Sequence, residues 1–188
     1  MTDIAPGAAD FVRPWYSPWG SFPTRTIGLS TGISSNAINV GMVVGLDVNT
    51  ATNGNLIVPS SLTSNTVVST AIVGIAAENS TALGGKNTQF WQVPVWDANP
   101  NIEFRARTRN GLLQSTLVGS NNHSILWDST NKIHLINVGA SSATTPVNVV
   151  ITQLLDNVGD SGGAVAFKFV PRDATSSLST ANILAFYR

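Results

Sequence analysis

From about residue 27 onward, apolar and polar residues alternate with a period of two. In NIEFRARTRN (101–110), Ile102, Phe104, Ala106 and Thr108 fall on one face, while Glu103, Arg105, Arg107 and Arg109 fall on the other. AVAFKFV (164–170) aligns Val165, Phe167 and Phe169, and VNVVITQLL (147–155) is a β-branched run bounded by turn residues. INVGMVVGLDV, TVVSTAIVGIA, FWQVPVWDA, SILW and KIHLIN carry the same signal. Alternation of this kind predicts half-buried strands, because successive side chains of a strand point to opposite faces. Between the runs lie NTATNGN, LGGKN, DANPN and WDSTNK, rich in the residues that turns require. No window carries a capped helical stripe. The expected fold is all-β, a single β-sandwich or jelly-roll-like barrel with an extended N-terminal arm.

That arm, residues 1–26, follows a different pattern. Prolines at 6, 14, 18 and 23 exclude a helix or a central strand. The same stretch holds Phe11, Trp15, Tyr16, Trp19 and Phe22, whereas disordered tails are poor in aromatics. Burying a large side chain is worth about 1.5–3 kcal/mol, against about 1–2 kcal/mol to order each backbone residue. The arm is therefore ordered only where its aromatics find pockets, on its own domain or, as favoured here, on another subunit. The expected divisions are an arm (1–26), a β-sandwich domain (27–172) and a C-terminal linker with a short strand (173–188).

Composition narrows the function. Ten basic and ten acidic side chains cancel, and only 11% of the 188 residues are charged while 43% are apolar. Uncharged surfaces tend to associate, so much of this surface is expected to meet protein. Neutrality argues against general nucleic-acid binding, which draws on cations meeting phosphates. With no cysteine, there is neither a disulfide framework nor a thiolate metal site. The N-terminal sequence has no signal-peptide pattern and no run is long and apolar enough for a membrane span, so synthesis in a cytoplasm and no membrane partner are expected.

One motif points elsewhere. DNVGDSGGAVAF (156–167) contains the Gly-Asp-Ser-Gly-Gly that surrounds the nucleophile of trypsin-like proteases. Such a serine needs a histidine base oriented by a carboxylate. The histidines here, His123 in SNNHSI and His134 in KIHLI, lack the protease context. IVGI (72–75) resembles an activated protease N-terminus, but Ala71 precedes it, and the stretch to Ser161 is too short for two barrels. Gly159, Gly162 and Gly163 suit a hairpin loop between two strong strands. The expectation is a loop, and no enzyme.

Other chemistry is sparse. DVNTATNG (47–54) has the start of a calcium loop but not its remaining ligands, and reads better as a hairpin with Asn53-Gly54 at the turn. His123 and His134 flank one turn and could approach across it, though two histidines without carboxylates are more often packing residues than ligands. No metal site and no cofactor is expected. Trp91 and Trp96 fall on opposite faces of their strand, one core and one interfacial. Exposed tryptophans also keep a sugar-binding module open. Arg105, Arg107 and Arg109 repel one another unless acids or phosphates face them. They form either a solvated face with Glu103 and a nearby Asp, or an electrostatic contact to an acidic partner.

The segments VVGLDV, IVGIAAEN, VPVWDANPNIEFRARTRNG, TLVG and ILWD, spread over residues 40–172, resemble the decoration or cement proteins of tailed-phage capsids. These share an apolar "VGIA" strand, a "PV" step, and an "ANP" turn into an "EFxAxT" strand. The resemblance implies a non-enzymatic virion protein on the capsid exterior. It would be a trimer that binds the major capsid protein and bridges neighbouring subunits. The aromatic arm and the C-terminal extension lie outside that pattern.

Overall fold

A computed structural model describes residues 11–28, 38–46, 56–57, 72–79, 81–82, 91–120, 123–128, 131, 133–139 and 149–169. It is a two-sheet β-sandwich with no α-helix among the described residues. The strands are β1 (Arg13–Tyr16), β2 (Thr24–Gly28), β3 (Val43–Leu46), β4 (Leu56–Ile57), β5 (Ile72–Ala76) and β6 (Thr81–Ala82). They continue with β7 (Trp91–Asp97), β8 (Glu103–Arg109), β9 (Ser124–Asp128), β10 (Ile133–Asn137), β11 (Val149–Leu154) and β12 (Ala164–Phe169). All eight runs singled out by their alternation contain a strand. The unforeseen ones are β1 and β2, in the proline-rich segment, and the short β4 and β6.

The first sheet runs β11-β12-β8-β10-β9, with β1 also on β8; the second runs β2-β7-β5-β3-β4, with β6 also on β7. Two strands share one edge of β8. β1 lies antiparallel along Glu103–Arg105, and β10 lies parallel along Thr108–Arg109. Proline is tolerated where its missing N–H faces no partner. Pro14 sits in β1, an edge strand. Pro94 in β7 has its carbonyl bonded by the Ala77 N–H, so its ring side faces the gap between β5 and β6.

The main core lies between the sheets. Ile102, Phe104 and Ala106 meet Val43, Ile72 and Ile75 of the second sheet, along with Ile125, Ile136, Val149, Ile151 and the β12 phenylalanines. Phe104, Phe167 and Phe169 form a triangle with ring centroids 5.3–6.0 Å apart, two of the pairs edge-on, which suits the quadrupoles of aromatic rings. Val44, Val73, Val93 and Val95 make a smaller cluster with Ile38 and Ala76. Trp96 packs against the main core; the side chain of Trp91 lies outside the described residues, as do DVNTATNG and the C-terminal segment 173–188.

The histidines do not meet. His134 stands opposite Trp127 in the β9–β10 register, four residues beyond His123, or about 13 Å of strand. Each is buried for its own reason. The His123 ring lies 3.4 Å from the Leu117 carbonyl, and its backbone bridges to Val149. His134 is fully buried against Trp127, and its Nδ1 accepts the Val43 N–H of the facing sheet at 3.0 Å. That bond joins the two layers and requires a neutral ring. Burial pushes the His134 pKa down to about 3.

Candidate functional site

GDSGG is the loop of the β11–β12 hairpin. Gly159 and Gly162 hold positive φ, and a side chain at Gly163 would collide with Leu113. Asp156 accepts the Ala164 N–H, Asp160 accepts the Asn157 N–H, and the Leu113 N–H bonds the Asp160 carbonyl. Ser161 is exposed and bridges to Leu112. His123 pairs with Val149 at the far end of β11 and His134 bonds β3, so neither ring is turned to Ser161. Every glycine and aspartate of the motif has a role in the turn.

The proline-aromatic segment, expected to seek another subunit, lies on its own domain over residues 11–28. Val12 enters the main core and Phe22 packs against it. Phe11 lies over Gly41, where a β-carbon would come within 2.5 Å of it. β1 pairs with β8 in the first sheet and β2 pairs with β7 in the second, so the turn at 17–23 carries the chain from one layer to the other. The boundary at residue 26 falls inside β2. Ser17, nearly buried, holds the turn: its hydroxyl accepts the Trp19 N–H and its carbonyl accepts the Gly20 N–H. The β7–β8 connection makes the same crossing alongside. Arg25 and Asp97 join the two crossings at 2.6 Å, and burial outweighs the guanidinium to leave the Asp97 carboxyl raised.

Docking consumes only part of the aromatic surface. Trp15, Tyr16 and Trp19 remain 45%, 54% and 56% exposed. A register irregularity explains why consecutive residues both face outward. Pro14 opposes Phe104 and Tyr16 opposes Glu103, so two steps on β1 match one on β8. A bulge of this kind re-aims side chains that strict alternation would turn inward. Among the described residues, the other exposed large apolar side chains, Leu112, Val118 and Val158, are aliphatic and lie in loops.

The arginine row resolves into unlike members. Ile102, Phe104, Ala106 and Thr108 are buried as expected, leaving the charged face of β8 outward. Arg109 pairs with Asp128 at 3.3 Å. Arg107 donates to the Gly162 carbonyl at 3.2 Å and lies 3.8 Å from Asp156. Glu103 is taken by Lys168 at 3.6 Å. Arg105 has no carboxylate among the described residues; its guanidinium sits over the Trp15 ring, 5.9 Å from the centroid. Its cross-strand neighbour is Arg13, a second cation, exposed and likewise without a carboxylate among the described residues. Sequence reasoning missed Arg13, although extending the period of two back from Trp15 in RPWY would have placed it on the same face.

The result is a corner of Arg13, Arg105, Trp15, Tyr16 and Trp19 on the outer face of the first sheet and its adjoining turn. Tryptophan, tyrosine and arginine are the side chains that dominate protein-binding hot spots. Among the described residues, no group of acidic or histidine side chains is placed to hold a metal ion. No protein-family model, curated protein or solved structure matches the chain.

Proposed function

We propose that the chain is a decoration (cement) protein of a tailed-phage capsid, non-enzymatic and bound outside the major capsid shell, where it bridges neighbouring subunits. Two lines support this reading. The first is the set of segments VVGLDV, IVGIAAEN and VPVWDANPNIEFRARTRNG, which resemble that family. The second, which carries most weight, is the corner of Trp15, Tyr16 and Trp19 beside Arg13 and Arg105, a patch with the composition of a protein-binding site.

Trimers at symmetric positions would multiply weak contacts by effective concentration. No cofactor, membrane or specific nucleic acid enters this reading, and the site of action is the capsid exterior after synthesis in the host cytoplasm. Co-sedimentation of the purified chain with expanded, empty shells tests it: saturable binding at a fixed ratio to the shell protein is expected, and absence of binding rejects it. A second reading, a head-fibre or receptor- and carbohydrate-binding module, is favoured by the exposed Trp15 and Trp19, which suit stacking on sugar rings. Glycan binding without shell binding selects it.

A further inference from the structure

We infer that the corner recognises carboxylates on a protein surface, the Arg13–Arg105 pair gripping the acid while Trp15 and Trp19 bury against apolar atoms around it. This deepens the shell-binding reading, on which it rests for the identity of the partner.

The motive is an imbalance within one sheet face. Arg107, Arg109 and Lys168 each have a carboxylate within 4 Å, namely Asp156, Asp128 and Glu103. Arg13 and Arg105 are register partners in antiparallel strands, where opposed side chains stand about 4.5–5.5 Å apart and like charges repel. The fold retains a cation pair that costs stability, on the strand that carries the exposed Trp15 and Tyr16 and leads into the turn of the exposed Trp19. An external acid between the two guanidiniums offsets that cost. The Trp15 ring lies under Arg105, which orders the guanidinium by a cation–π contact and leaves its N–H edge free for a carboxylate.

The same observations bear on which partner is favoured. A nucleic-acid backbone needs a row of cations to follow successive phosphates, but the row along β8 is neutralised at Arg107 and Arg109. The net charge of zero supplies no wider attraction. A second copy docking face to face would set the same arginines against each other. An acidic protein surface has none of these conflicts.

The test compares the full chain with Arg13→Gln/Arg105→Gln and with Lys168→Gln, a same-face control, on purified expanded shells over a salt series. The wild type is expected to bind most tightly at low salt. The double variant should bind about tenfold more weakly and lose most of its salt dependence, with Lys168→Gln within about twofold of wild type. Equal binding by the double variant and the wild type overturns the inference and leaves the shell reading standing. If the wild type does not bind shells, the shell reading fails, and tryptophan fluorescence decides the inference. The probes are then a Glu- and Leu-rich peptide, oligo-dT and a maltooligosaccharide. A response to the peptide that disappears in the double variant supports it. Preference for either of the other probes, or no response to any, overturns it.

Discussion

Lowering the pH from 7 to 5 is expected to remove about 2 kcal/mol of stability through His134 alone. In the unfolded chain this ring titrates near pH 6.5. In the folded chain burial pushes its pKa down to about 3, and its Nδ1 accepts the Val43 N–H, which a protonated ring could not do. Its folded pKa is depressed, so its contribution is fully present above pH 6.5 and is lost as the pH falls towards 3, while the unfolded chain takes up a proton that the folded chain refuses. At pH 5 the unfolded ring is about 1.5 units below its pKa, worth about 2 kcal/mol at 1.36 kcal/mol per unit. This loss is insensitive to the folded value so long as that stays below about 4. Urea denaturation followed by tryptophan fluorescence at both pH values measures it, with the m-value unchanged. His134→Asn supplies a non-titrating acceptor in the position of Nδ1 and should lose less stability over the same interval by that amount, whereas His123 and the carboxylates are common to both chains. Equal pH dependence in the two would refute the buried, neutral bridge between the sheets.

Phe104→Ala removes two of the three ring contacts of the aromatic triangle, and chemical denaturation should register a loss of about 3–5 kcal/mol. Gly162→Ala places a β-carbon at φ +68° and should cost about 1–2 kcal/mol, measured the same way. Ser161→Ala, by contrast, should change stability by no more than about 0.5 kcal/mol. The wild-type serine should also take no adduct from a fluorophosphonate probe, as read by mass spectrometry, and a labelled Ser161 would contradict its assignment to a turn. Trp15→Ser/Trp19→Ser should leave the denaturation midpoint within the range of ordinary surface changes but weaken shell binding, because both rings are largely exposed. Deleting residues 1–25 is a different perturbation. It removes Val12 and Phe22 from the core along with β1 and the start of β2, so loss of the fold is expected.

The strands were legible wherever one face is buried and the other wet, since that environment writes a period of two into the sequence. Phe104 and Arg105 are the plainest case. β1 and β2 were not legible, because Pro14 and a bulge interrupt the alternation in β1 and because both pair with strands far along the chain, from Gly28 with Gln92 to Arg13 with Arg105. For the same reason the arginines looked equivalent. Which of them meets a carboxylate depends on where Asp128 and Asp156 arrive in space, and the spacing of NIEFRARTRN does not encode that. GDSGG shows the reverse situation: a short string whose local turn chemistry was sufficient, and whose enzymatic reading required partners from elsewhere. The aromatic corner was half legible. The residue types stood out, but only the docking of Val12, Phe11 and Phe22 separates the side chains that hold the segment from those left exposed.

Quantitative mass spectrometry of virus particles purified from cultures that produce the chain tests the central proposal most directly. A decoration protein on a symmetric lattice predicts a copy number close to that of the major shell protein; a few copies per particle, or none, would contradict it.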